Sequence, residues 1–135
     1  MVKYYNKIYL KSILLYMSSK SKYYFYAILL KGCPYSTSAS ELLNNNNIKN
    51  KVEIINSKNK GKFKLENYNT FPQIFLKRDN SNESLFLGGY SDLNEFFKIF
   101  KNKKYNENNI IQFQNKYNWW SKKAILRSIE LINNF

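Results

Sequence analysis

Apolar and polar positions alternate along this chain in blocks that change period every ten to fifteen residues. Residues 4–17 place Tyr5, Ile8, Tyr9, Ser12, Ile13 and Tyr16 near one face of a helix, and the polar run at 18–22 ends that pattern. The run "YYFYAILL" (23–30) is continuous, aromatic and branched, as expected of a central strand buried on both faces. Gly32 closes it. Tyr35, Ala39, Leu42 and Leu43 then recur at helical spacing from Pro34, until the Asn run at 44–47 stops the helix. "KVEII" (51–55) reads as a second strand, and residues 58–68 as a short irregular helix. "PQIFL" (72–76) and "LFL" (85–87) flank the turn-rich "KRDNSNES" (77–84), which predicts a hairpin. "SDLNEFFKIF" (91–100) aligns Leu93, Phe96, Phe97 and Phe100 on one face, with Ser91 or Asp92 as the cap and Glu95 near the start. Beyond it, "KNKKYNENN" (101–109) reads as a polar linker, and residues 119–132 as an amphipathic helix.

Two strands joined by a helix pair in parallel, through a right-handed crossover. With the hairpin added, the fold class is α/β: a four-stranded mixed sheet with helices on both faces. Residues 23–100 form the central domain. Residues 1–22 are an N-terminal extension, expected to be helical, and 101–135 a C-terminal one. At 135 residues the chain has room for one core and not for two. No apolar run reaches the length of a membrane span.

Charge changes this picture less than its size implies. The net charge is +13, a value met in proteins that bind nucleic acids or anionic membranes. Here the lysines are spread over the whole chain, and Arg78 and Arg127 are the only arginines. Lys, Asn, Ile, Tyr and Phe are enriched together, which AT-rich codons produce without selection for a partner. The surface is read as one that attracts small anions, with no specific nucleic acid as partner. No acidic residue precedes Glu41, yet the N-terminal segment lacks the arginines of an organellar address.

One cysteine and no histidine restrict the chemistry. An internal disulfide, a Cys/His zinc site and a Cys–His nucleophile pair are all excluded. A lone free thiol fits a reducing compartment such as the cytoplasm. That thiol, Cys33, lies in "KGCPYS", between the end of a strand and the start of a helix. Pro34 suits a first helical turn, and the unpaired N–H groups of Tyr35 and Ser36 then face the sulfur. Both features favour the thiolate, with Lys31 as a nearby cation. Ser36 donates its hydroxyl to the sulfur but forms no disulfide with it. The plain alternative is a buried core cysteine.

Three segments, in order, resemble the glutaredoxins of the thioredoxin superfamily. "GCPYS" resembles their active-site loop. "TFPQIFL" (70–76) is similar to their Thr-Val-Pro-Gln-Ile-Phe segment, with Phe71 where Val is usual. "LGGYSDL" (87–93) resembles their Gly-Gly-x-x-Asp segment. The resemblance implies a thioredoxin-like fold, a monothiol glutaredoxin carrying a CPYS motif, and glutathione as co-substrate. It implies Cys33 as the nucleophile with Ser36 beside it, and Pro72 as a cis-proline opposite the thiol. Tyr35, Thr70, Phe71 and Gly89 would line the glutathione site. Ser91 and Asp92 would hold the γ-glutamyl end, and Lys31 would attract the glycyl carboxylate. Lys31 lies two residues before the cysteine, whereas the family usually has its lysine three before. A second contact to that carboxylate would come from Lys58, Asn59, Lys60 or Lys62. Without the resemblance, Pro72 is a strand-opening proline and Ser91 and Asp92 are helix caps.

The expected activity is reduction of glutathionylated proteins or small disulfides by a monomer. Two alternatives remain. One is a protein that binds a [2Fe–2S] cluster between two subunits with two glutathiones, disfavoured by Pro34. The other is a non-catalytic interaction module presenting the tryptophan-bearing helix.

Overall fold

The computed structural model describes residues 22–102 and 104–133. The helix expected over 4–17 lies outside these residues. Four strands form one mixed sheet: β1 (Tyr23–Leu30), β2 (Asn50–Ile55), β3 (Gln73–Arg78) and β4 (Ser84–Gly88), in the order β2-β1-β3-β4. β1 runs parallel to β2 and antiparallel to β3, and β3 is antiparallel to β4. The parallel pair is joined by helix α1 (Pro34–Asn45). This is the mixed α/β sheet that the periodicity implied and the thioredoxin-like fold that the resemblance implied, but the α-helices of the described residues gather on one face of the sheet and not on both.

The side-chain period of two divides β1 cleanly. Phe25, Ala27 and Leu29 point into the core and are buried. On that face lie Ala39 and Leu43 of α1, and Leu93, Phe96, Phe97 and Phe100 of α2 (Tyr90–Phe100). The other face differs from expectation. Tyr24 and Tyr26 are half-buried there, so the strand is fully buried on one side only among the described residues. Lysines cover these rings: Lys77 Nζ is 4.0 Å from the Tyr26 centroid and Lys51 Nζ 4.6 Å from that of Tyr24. The helix expected over 58–68, which would cover this face, is reduced to one 3₁₀ turn at Lys60–Phe63. That turn buries no side chain, so apolar contact cannot propagate it into a helix. It is fastened by Gln73 Nε2, which donates to the Phe63 carbonyl at 2.7 Å.

The linker expected at 101–109 is also partly corrected. Helix α3 (Glu107–Lys116) begins within it. Asn106 and Asn109 cap its start reciprocally, each side-chain oxygen accepting the other's backbone N–H. The helix buries only Ile110 and Phe113, too thin a stripe to stand out from the polar background. Helix α4 (Lys122–Ile132) starts three residues later than expected, because Ser121 caps it by accepting from Ala124 N. Trp119 and Trp120 therefore sit in the α3–α4 turn.

Residues 104–133 share the core of the sheet. Trp120 stacks on Phe96 at 4.7 Å and meets Phe113 edge-on at 5.0 Å, while Phe96 also touches Phe100 at 4.9 Å. The far ends of α2 and α4 are tied by Asn133 Nδ2, which donates to Phe100 O at 3.0 Å. Replacing Trp120, fully buried, with Ala removes the centre of this aromatic cluster. The expected cost is about 3–5 kcal/mol, read from urea unfolding. A midpoint close to wild type would show that the C-terminal helices do not support the core.

Candidate functional site

At the end of β1 the chain turns sharply. Gly32 takes φ +83, in the left-handed region that favours glycine, and Cys33 N donates back to Leu30 O at 3.1 Å. Lys31 N reaches Ile55 O at 2.8 Å and holds the loop to β2. Cys33 is the N-cap of α1 in an extended conformation, and Pro34 occupies the first turn. The sulfur is partly exposed, which removes the alternative of a buried core cysteine.

Partial burial of the sulfur pushes its pKa up. Hydrogen bonds to the thiolate from the backbone of Ser36, from its hydroxyl and from the backbone of Tyr35 pull it down, and the net shift is downward. Ser36 has a second task. It is buried, and its Oγ accepts from Leu30 N at 3.0 Å, so one hydroxyl both ends the strand and faces the thiol. Lys31 was expected to assist. It is exposed and does not line the groove described below.

Opposite the thiol lies the segment before β3. The Phe71–Pro72 peptide bond is cis, as the motif implied. The Cys33 thiol points at the Phe71 carbonyl, Sγ to O 3.8 Å. From there a groove of about 410 Å³ runs between Tyr35, Thr70, Phe71 and Pro72 on one side and Gly89, Ser91 and Asp92 on the other. Seven residues singled out along the sequence thus converge on one cleft, with Cys33 at its edge.

Two further residues line it, Tyr68 and Tyr90. Tyr68 lies two positions before Thr70, and its hydroxyl packs where a Cβ on Gly89 would stand. Burial pushes that hydroxyl's pKa up, its hydrogen bond with Thr70 opposes this, and the charge of Asp92 adds to the rise. Tyr90 faces Tyr35 across the mouth, with ring centroids 6.4 Å apart. Its place inside the Gly-Gly-x-Ser-Asp segment was the available signal. Tyr68 had none beyond proximity to Thr70, in a sequence with twelve tyrosines.

Ser91 and Asp92 do not cap α2 as expected. Gly89 is the cap and the helix starts at Tyr90, which puts Ser91 and Asp92 in its first turn. Asp92 is buried, and its Oδ2 accepts Gly89 N–H at 2.8 Å. Burial raises the pKa of its carboxyl, the N–H groups of Gly89 and of Asp92 itself lower it, and Glu95 raises it again, for a net rise. The first turn of α2, at the positive end of the helix dipole, and the Asp92 carboxylate thus lie together at this end of the groove. None of the groove-lining residues is a Lys or Arg. Among the described residues no group of three or more His, Cys, Asp or Glu side chains could hold a metal ion. No helix of the described residues is long and apolar enough to cross a membrane.

Replacing Ser36 with Ala removes one of the donors that stabilise the thiolate. Iodoacetamide alkylation of Cys33 then has its pH midpoint above that of wild type. A midpoint that stays put, or falls, would contradict this assignment of the hydroxyl.

The family model described as Glutaredoxin matches residues 13–79, a span containing the thiol loop and the cis-proline. A crystal structure of glutaredoxin 1 from Francisella tularensis, complexed with cacodylate, is similar at 24% identity and a TM-score of 0.46. The likeness covers 56% of this chain and 93% of that one. No curated protein matches the chain. By the match over residues 13–79, just under half of the chain, this protein is similar to the glutaredoxin family.

Proposed function

We propose that this protein is a glutathione-dependent thiol–disulfide oxidoreductase that works by the monothiol route. The observation that supports it best is the position of the Cys33 sulfur. It is held toward the thiolate by Ser36 and Tyr35, 3.8 Å from the Phe71 carbonyl, at one end of a cleft that leads to Ser91 and Asp92.

The Phe71 backbone precedes β3 and lies outside the strand pairing, so its N–H and C=O are placed to meet an extended peptide. The cysteinyl part of glutathione would dock there. Its γ-glutamyl carboxylate would take the amides and hydroxyl at Ser91, and its ammonium the carboxylate of Asp92. Tyr35, Tyr90 and Tyr68 would wall the cleft. The glycyl carboxylate would lie toward Lys31 and the 58–64 segment, neither of which lines the groove.

In the first step the Cys33 thiolate attacks the glutathione sulfur of a mixed disulfide. A bond forms between the two sulfurs, the substrate's sulfur–sulfur bond breaks, and the substrate leaves as a thiolate that takes a proton from water. In the second step a glutathione thiolate attacks the glutathione sulfur attached to Cys33. Oxidised glutathione leaves and the Cys33 thiolate is restored. No second protein cysteine takes part, so Ser36 blocks only the dithiol route. A cluster-binding role would need a second subunit and two glutathiones, since each chain offers one sulfur.

A Cys33→Ser protein should lose all turnover above background in a glutathione-coupled assay with a small glutathione mixed disulfide. Persistent turnover would remove the proposal. For the intact enzyme, kcat/KM should rise with pH through a midpoint below that of an ordinary thiol, because the attacking form is the thiolate and its pKa is lowered. A profile centred at or above the range of a free thiol would contradict the mechanism.

Replacing Asp92 with Asn keeps the bond to Gly89 N–H but removes the negative charge. The KM for the glutathione mixed disulfide should then rise by roughly tenfold, with kcat nearly unchanged, as expected when one charge-assisted contact made equally before and during reaction is lost. An unaltered KM would place the ammonium elsewhere.

A further inference from the structure

The end of α3 and the α3–α4 turn reach the end of β4 and the first turns of α2 with three side chains. Trp119 donates its indole N–H to the Leu87 carbonyl at 3.2 Å, where β4 ends. The same nitrogen crowds Gly88. A Cβ on Gly88 would stand 2.6 Å from Trp119 Nε1 and 2.6 Å from Asp92 Oδ2, and Gly88 takes φ +94. The indole edge and the carboxylate of the groove therefore meet over one glycine. Two positions earlier, Tyr117 donates its hydroxyl to Glu95, and Lys116 Nζ lies 3.0 Å from the same carboxylate. Glu95 is the acid whose charge opposes ionisation of Asp92, and these two partners compensate it.

The two adjacent tryptophans divide their work. Trp120 is fully buried and packs the core, whereas Trp119 is 44% exposed and lies at its rim. What Trp119 does contribute is a directed bond to the strand end from which Gly88, Gly89 and Asp92 hang. We propose that Trp119 is a positioning residue for the γ-glutamyl end of the glutathione groove, making the C-terminal extension part of that subsite. The indole fixes Leu87, Leu87 fixes the Gly88–Gly89 turn, and the turn sets where Asp92 presents its free oxygen. This rests on the glutathione reading above.

The test compares wild type with Trp119→Phe, which keeps a ring but loses the N–H, and with Trp119→Ala. Each is assayed over a range of concentrations of a small glutathione mixed disulfide and titrated with reduced glutathione by calorimetry. In both variants the KM for the mixed disulfide and the dissociation constant should rise by roughly fivefold, the size of one lost hydrogen bond. The kcat at saturating mixed disulfide and the alkylation rate of Cys33 should match wild type in both, and the thermal unfolding midpoint should match it in Trp119→Phe. Active wild type together with unchanged KM in both variants overturns the inference and leaves the enzymatic reading intact. A uniform loss, with kcat, alkylation rate and midpoint falling together, also overturns it, since that marks a merely structural role. Wild type that neither turns over nor binds glutathione overturns both. Wild type that binds without turnover overturns the enzymatic reading alone, and the dissociation constants then decide the inference.

Discussion

A helix begins with backbone N–H groups that its own carbonyls cannot reach, and this protein directs those of α1 at a sulfur. Everything at the site follows from that junction. Gly32 turns the chain sharply enough for Cys33 to become the N-cap, and Pro34 adds no further donor. Ser36, one turn in, closes the arrangement from the other side by accepting from Leu30 N at the end of β1. The strand end and the helix start are thereby locked to each other through the residue that also faces the thiol. A thiolate-stabilising site and a strand–helix corner are here the same few atoms.

The junction acts on a substrate only because two other chain segments arrive beside it. The cis-Pro72 segment brings the Phe71 carbonyl to the sulfur, and the Gly88–Asp92 turn brings a helix start and a buried carboxylate to the far end. Close packing explains the two glycines there. Gly88 has the Asp92 carboxylate and the Trp119 indole where a Cβ would be, and Gly89 has the Tyr68 hydroxyl. Each glycine marks a place where a side chain from a distant part of the chain, Trp119 or Tyr68, comes down on the backbone.

The apolar faces of α1, α2, α3 and α4 converge on one side of the sheet, around Phe96. The opposite side carries tyrosines under lysine stems and a single 3₁₀ turn. This asymmetry accounts for part of the large positive charge. Lys51 and Lys77 are spent over Tyr24 and Tyr26, Lys49 is paired with Asp79, and Lys116, Lys122 and Lys123 face glutamates. Among the described residues these lysines thus serve as local partners.

Period and punctuation alone determined the strands, α1, α2 and the thiol loop, because each has a dense apolar pattern bounded by Gly, Pro or Asn. The motif segments around Cys33, Pro72 and Asp92 were legible for the same reason: each needs particular residues at fixed local spacing. Local pattern fails where burial is sparse or the partner is remote. Helix α3 shows only Ile110 and Phe113 to the core, and the 58–68 segment keeps a single 3₁₀ turn that buries no side chain. Tyr68, Tyr90 and Trp119 reach the site only through packing across the chain, and Lys31 falls outside the cleft although it neighbours the thiol in sequence. Which of twelve tyrosines and two tryptophans serve the cleft is decided by distances between strands and helices, a property that no spacing along the chain encodes.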